Sequence, residues 1–479
     1  MFFKGKHIAA VKIILILPVV IFLSGCGWGH KKEIQEEPVE VGPTDLERIR
    51  EEGVLKVVVD YNSTNYFVYR GKPMGFQYEM VQELCDNLGV NLQISVSNNL
   101  NYSFDGLKNN RFDLIAKNLT VTRARKQEVQ FTEPFKQTRQ VLVQRKPNAN
   151  DTTTVYLKST LELEGKNVHV QKNTSYYTRL VNLSEEIGSP IDIVEDTIYG
   201  VEQLIARVAG GEIDYTVCDE DVGRLNKTYY PNIDVSLVIS FPQNIAWAVR
   251  KDASDDWKEY LDKWLIEFKK SAKYNILYNK YFVSSRSTIR MGSDYHSING
   301  GKISIFDPVV KEFAKYYGWD WRLISSIMYV ESRFNPEAES WGGAYGLMQL
   351  MPNTATALGI EDYTDPAENI KGGILMMNWI DEQLQNSIPD STERIKFTLA
   401  AYNIGLGHVK DAQRLARKYG KNQHKWEDNV DFYLRNKSSS KYFKDPVVKW
   451  GYARGEEAYN YVQRVTGNYE HYLNVIPKN

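Results

Sequence analysis

A chain of 479 residues is too long for one compact core, so two or three domains are expected. A formal net charge of −1 gives no reason to expect a nucleic acid partner, and 7 scattered His with 3 Cys form no cluster spaced as a metal site, so no metal or cofactor is expected. With 31 Tyr and 10 Trp the aromatic content suits sugar or peptide contacts, although many of these rings will be core.

Residues 1–25 read as a secretory signal peptide. Lys4, Lys6 and Lys12 are basic, and the apolar run from Ile13 to Leu23 is shorter than the ~20 residues that span a bilayer. Leu23-Ser24-Gly25-Cys26 resembles a lipobox, which implies cleavage before Cys26, lipid on its thiol and a membrane anchor. An ordinary signal anchor with a chance cysteine is the other reading. Gly27 follows in place of an aspartate, which points to the outer membrane, facing the periplasm. Residues 26–52 are rich in Lys, Glu, Gln, Pro and Gly with little to bury, and read as a tether.

From 53 to 290 the pattern is α/β. Leu55 to Asp60 is a β-branched run that predicts a buried strand, and Phe76, Met80, Val81, Leu84 and Leu88 keep helical spacing up to Gly89. Strands are predicted at 90–96, 114–116 and 141–144, with helices near 103–109 and 124–129, which gives a first unit built on a parallel sheet. A second unit follows, with strands at 168–171, 191–194, 215–218 and 235–239, and the chain returns to the first through Asn244 to Arg250. Cys85 on an apolar helix face and Cys218 at the end of an apolar strand are expected to be buried free thiols rather than a disulfide.

Two α/β lobes joined by crossing strands resemble the periplasmic amino-acid-binding proteins of solute-binding family 3. The segment Asn118-Leu119-Thr120-Val121-Thr122-Arg123-Ala124-Arg125 carries the resemblance, although Arg123-Ala124 stand where Pro-Glu is common. It implies that Thr120 and Arg125 hold a ligand α-carboxylate, that Asp219 takes the α-ammonium, and that Thr174 lies in the polar turn of the second lobe. The implied ligand is an amino acid, a peptide or a muropeptide. Residue chemistry agrees, since Arg offers a planar fork to a carboxylate and Asp a charge-assisted bond to an ammonium. A solvated helix-face charge at Arg125 and a helix cap at Asp219 remain alternatives.

The polar run from Ser284 to Ser297 reads as a linker, and residues 297–479 as a mainly α domain. Asp307-Pro308 predicts a helix that ends near Gly318, and Asp320 can cap another starting at Trp321. Ile324, Ile327, Met328 and Glu331 share one stripe of that second helix. Burying a carboxyl there raises its pKa, as a general acid near neutral pH requires. Position alone also fits a structural carboxylate paired with an arginine or a cap. Asn335-Pro336 should stop the helix, and Gly346-Leu347-Met348-Gln349 then offers a glycine-bounded segment suited to a groove for a polar chain. Further helices are predicted after Asp365-Pro366 and over 392–402, with Gly405 and Gly407 past the end of the latter.

Glu331-Ser332, then GLMQLMP at 346–352, then AYNIG at 401–405 together resemble the soluble-type, goose-lysozyme-like lytic transglycosylases. The resemblance implies a lysozyme-like fold and Glu331 as the catalytic acid and base. It also implies glycan contacts from Ser340, Met348, Gln349, Tyr402, Asn403 and Tyr461. Met348 as core packing and Asn403 as a helix C-cap are the alternatives, and Tyr461 follows Ala458-Tyr459 where the family usually has Thr-Arg. Glycosidases commonly use two carboxylates ~5 Å or ~6.5–9.5 Å apart. Asp362, Asp365 and Glu368 are the nearest candidates for a second one, and Asp365 reads better as a cap. Without a second acid the substrate supplies the nucleophile, which in the resembled family is the 6-hydroxyl of N-acetylmuramic acid in peptidoglycan glycan strands. The expected activity is a lyase giving 1,6-anhydro ends. A hydrolytic muramidase, or a ligand-sensing protein with an inactive second domain, are the competing functions.

Overall fold

The structure is a computed structural model that describes residues 43–476, apart from 148–154, 198, 285 and 299–300. The proposed signal peptide, Cys26 and the first part of the proposed tether lie outside the described residues.

The strand Val54–Val59 pairs in parallel with Asn91–Val96 on one side and Leu114–Thr120 on the other. Parallel pairing needs crossover connections, and the helices Phe76–Leu88 and Leu100–Lys108 supply them. Gln243–Arg250 returns antiparallel to Leu114–Thr120 and carries Val129–Phe131 and Lys136–Thr138 along its other edge. The second lobe has five strands in the spatial order Asp192–Asp196, Asn167–Gln171, Tyr215–Asp219, Gln140–Arg145, Ile233–Asp234. The strand around Val141, assigned from the sequence to the first lobe, therefore belongs to the second. Its β-branched run reveals burial but carries no record of its neighbours, and the chain has already crossed over after Thr138. The predicted strand at 235–239 keeps only an isolated bridge from Val238 to Val141. Cys85 and Cys218 are buried and free, as expected.

Two polar stretches are more ordered than their composition suggested. Residues 45–52, read as tether, form the helix Asp45–Glu52 with a Thr44/Glu47 capping box. Leu46 and Ile49 are buried, and the Thr44 hydroxyl donates to Asp256 Oδ2 at 2.6 Å. The predicted linker is likewise built in: Ser297 N donates to Val68 O at 2.9 Å, and the fully buried His296 stacks on Phe67 with ring centroids 4.3 Å apart. Few apolar residues suffice where hydrogen bonds to an existing strand are available.

The rest is helical. Asp307–Tyr317, Trp321–Ser332, Pro366–Gln385, Ser391–Ile404, Leu406–Lys418 and Gly455–Val475 are its principal helices. Asp320 caps the second of these by accepting from Arg322 N at 2.9 Å, and Ile324, Ile327 and Met328 are fully buried, as their spacing predicts. That helix ends at Ser332, before Asn335-Pro336, because Arg333 and Phe334 turn left-handed at φ 52° and 62°. Gly405 terminates Ser391–Ile404, and Gly407, also past that end as expected, already lies in the first turn of the next helix, Leu406–Lys418.

Among the described residues one buried apolar cluster runs from Leu46 through the first lobe into the helical domain as far as Ile476. The hairpin formed by Phe67–Tyr69 and Lys72–Met74 is the junction. Tyr472 donates to Gly71 O at 2.7 Å, and Tyr66 Oη lies 2.5 Å from His471 Nδ1.

Candidate functional site

The last turn of Trp321–Ser332 is held in place from below. The Ser332 hydroxyl reaches Leu347 O at 2.9 Å, which ties the helix to the glycine-bounded segment 346–349. Asn369 fixes that segment: its Oδ1 accepts from Met348 N at 2.8 Å, and its Nδ2 donates to Tyr345 O at 2.9 Å and Tyr363 O at 2.8 Å. Gly346, at φ 82°, passes so close to Asn369 that a Cβ there would lie 2.4 Å from its Nδ2. Sequence reading missed Asn369. The signal the sequence offers is an amide residue directly before Ile370, on the helix whose apolar stripe begins there, and the structure leaves it 1% exposed.

Glu331 stands above this base. Burial drives its carboxyl up from the ordinary range to about 7, against a downward pull from the Tyr461 hydroxyl and the Arg464 charge. Tyr461 is 2% exposed, and its buried hydroxyl faces Glu331, whose charged form it favours. Tyr402 is also buried near Glu331 and donates to Met348 O at 2.7 Å.

The remaining predicted glycan contacts divide. Asn403 is exposed and lines an open cavity of about 550 Å³ with Glu457, Asn460 and Arg464. Ser340 Oγ accepts from Ala344 N at 2.9 Å and keeps its own proton to donate. Gln349, at φ 49°, donates to Ala338 O at 2.8 Å and to Gly346 O at 3.0 Å, so its amide nitrogen braces the loop. Met348 is wholly buried with its side chain against Gly373, and only its backbone serves the site.

Of the candidate second acids, Asp365 caps Pro366–Gln385 through Ala367 N and Glu368 N, both at 2.9 Å. Asp362 accepts from Thr364, and Glu368 is 3.3 Å from Lys371. Neither these nor any other carboxylate is among the groups that shift Glu331.

The two lobes enclose a second site. Thr120, Arg125, Thr174 and Asp219 all line one interlobe cavity. Arg125 donates across the lobes to Asn173 O at 3.3 Å and within its own lobe to Thr120 O at 3.1 Å. The Thr120 and Ser175 hydroxyls are 3.0 Å apart, and Thr174 donates to Gln171 O at 2.6 Å. Asp219 occupies the N-cap position of Glu220–Tyr229 but makes no capping bond. Burial and the neighbouring Asp221 push it up to about 7, with Lys136 opposing.

Comparison with known proteins agrees with both halves. Residues 55–284 match the bacterial extracellular solute-binding proteins, family 3, and residues 308–425 match the transglycosylase SLT domain. The fold and this acid site define a peptidoglycan lytic transglycosylase joined to a solute-binding domain. A membrane-bound lytic murein transglycosylase F from Desulfosudis oleivorans is 32% identical over 428 residues, covering 89% of this chain and 91% of its own. One from Pseudomonas fluorescens is 31% identical over 430 residues, covering 89% and 86%. The chain belongs to the membrane-bound lytic murein transglycosylase F family. Among solved structures, a mutant of ArgBP from T. maritima aligns with 27% identity and a TM-score of 0.43, covering 50% of this chain and 99% of that one.

Proposed function

We propose that Glu331 is the single acid and base of a non-hydrolytic cleavage of the MurNAc–GlcNAc β-1,4 bond. The observation that carries this reading is a buried carboxyl with a pKa of about 7 and no second carboxylate acting on it. Near neutrality the protonated form gives its proton to the glycosidic oxygen as the C1–O bond breaks, and GlcNAc leaves as an alcohol. The carboxylate then accepts the proton of the muramoyl 6-hydroxyl as that oxygen bonds to C1, giving a 1,6-anhydro end. Tyr461 and Arg464 favour the carboxylate, the form needed in the second half. Asn403 in the open cavity, with Ser340, Gln349 and Tyr402, would position the glycan, and Met348 would act through its backbone.

Thr120, Arg125, Thr174 and Asp219 form the ligand site of the solute-binding domain, which we place at 53–290 after an N-terminal helix; the catalytic domain spans 297–479. Cys26 is the proposed lipid attachment site, after removal of residues 1–25, and anchors the chain to the outer membrane. No helix among the described residues is long and apolar enough to cross a membrane.

Digestion of purified peptidoglycan with the wild-type chain and with Glu331→Gln tests the mechanism. Anhydro-muropeptides from wild type alone, read by mass spectrometry, are expected. Reducing, water-added products would replace the lyase reading with a muramidase, and equal products from both proteins would remove Glu331 from the chemistry.

A further inference from the structure

The interlobe cavity holds about 150 Å³, well under the ~300 Å³ at which sites for drug-sized ligands begin, so it suits one small solute. Two groups of polar residues furnish it. Thr120, Ser175 and Arg125 form one, as described above. The other is made by residues that sequence comparison did not single out. Asp60, which directly follows Val54–Val59 in the first lobe, accepts from Asn65 Nδ2 at 3.1 Å and Asn62 Nδ2 at 2.7 Å. Glu202, in the first turn of Val201–Gly210 in the second lobe, accepts from Ser63 N at 2.9 Å and from the Ser63 hydroxyl. These acceptances are from neutral donors; Lys117 and Lys136 act on Asp60 through their charge, but neither carboxylate is in a salt bridge among the described residues. Burial pushes both above the ordinary carboxylate range.

The charges do not balance. The acids lining the cavity are Asp60, Glu202 and Asp219, and the cations are Lys117 and Arg125. Lys117 gives its protons to Ser97 O at 2.5 Å and Ser103 Oγ at 2.7 Å, and Asp219, 4% exposed, makes no capping bond and has the neutral Tyr176 hydroxyl as a neighbouring donor. Among the described residues none of the five is in an ion pair. With all five ionised, one negative charge is in excess in this cavity, and because an uncompensated buried charge is costly, a cation that enters would stabilise the ionised carboxylates.

We infer that the cleft selects a solute of net charge +1, an α-amino acid whose side chain ends in a cation held between Asp60 of one lobe and Glu202 of the other. The inference rests on the reading of this cleft as a ligand site, with the α-carboxylate on Arg125 and the α-ammonium on Asp219. A neutral side chain would leave the excess charge in place. A side chain ending in both an ammonium and a carboxylate would bring no net charge to offset it.

Calorimetric titration of the full chain in detergent tests this with L-lysine, L-norleucine, which is lysine without its terminal amine, and 2,6-diaminopimelate. Lysine is expected to bind at least about tenfold more tightly than either of the others. In Asp60→Asn and in Glu202→Gln the ratio of lysine to norleucine affinity should fall toward one, with melting temperature checking that each variant is folded. Norleucine or diaminopimelate binding wild type as tightly as lysine would overturn the charge selection while leaving the ligand site standing. Binding of none of the three to wild type would overturn the ligand-site reading and this inference with it. Lysine binding that survives Arg125→Ala would overturn the α-carboxylate placement alone.

Discussion

Glu331 and Asp219 are both carboxyl groups pushed to about 7 by burial, one in each domain, and their surroundings give the same pKa different meanings. Glu331 has a hydroxyl and one cation for neighbours, both favouring its charged form, and an open cavity nearby. It is poised to exchange a proton. Asp219 has a second acid beside it, Asp221, which is itself ion-paired to Lys136. It lies in an enclosed cavity and is poised to accept a cation. A perturbed pKa marks both sites, but only what can reach the group distinguishes catalysis from binding.

Four measurements test that contrast. The largest effect expected is from Glu331→Gln, which should lower the rate of anhydro-end formation by about 10²–10⁴-fold with a melting temperature no lower than that of wild type. An intact rate would make Glu331 structural.

Next comes pH. The acid step needs protonated Glu331, so kcat/KM should fall about tenfold per pH unit above about 7. The Tyr461 hydroxyl holds that pKa down, so Tyr461→Phe should move the falling limb to higher pH, as read from rate profiles on soluble glycan fragments. A limb that moves the other way would mean that the hydroxyl bonds the neutral acid instead.

For Asp219 the same reasoning concerns stability rather than rate. Its folded pKa lies above the ordinary value, so the folded chain binds more protons than the unfolded one between pH 4 and pH 7, and stability falls as pH rises through that window. Without ligand, Asp219→Asn should remove that slope and melt a few degrees above wild type at pH 8, with the difference vanishing toward pH 4. Parallel melting profiles would show that Lys136 already neutralises Asp219.

The smallest of the four is Asn369→Ala. It removes three buried hydrogen bonds under the segment 346–349 and should destabilise by about 1–3 kcal/mol in denaturant unfolding. A larger loss of activity than of stability would show that Asn369 positions the glycan loop for Glu331.

Much of this was legible in local pattern. Phe76–Leu88 and the start of Trp321–Ser332 follow from apolar spacing and caps, and the motifs around Glu331 and Arg125 lead to two sites. Where reading failed, the cause was a partner distant in the chain. Helix Asp45–Glu52 needs Ser254 and Asp256 to complete it, the strand at Val141 needs Tyr215–Asp219 to show its lobe, and His296 needs Phe67. Met348 has an exposed-groove motif and a buried side chain because Gly373 lies against it.

The two-domain plan, the helix carrying Glu331 and the first residues named for the cleft could be read from the chain alone, because burial periodicity, caps and motif spacing are properties of neighbours along it. It took the folded chain to show that Tyr461 faces Glu331, that Asn369 supports the loop, that Asp60 and Glu202 line one cavity from two lobes, and that one core joins both domains. Those are relations between side chains far apart in sequence, where desolvation and charge balance depend on the whole enclosure and no local pattern records them.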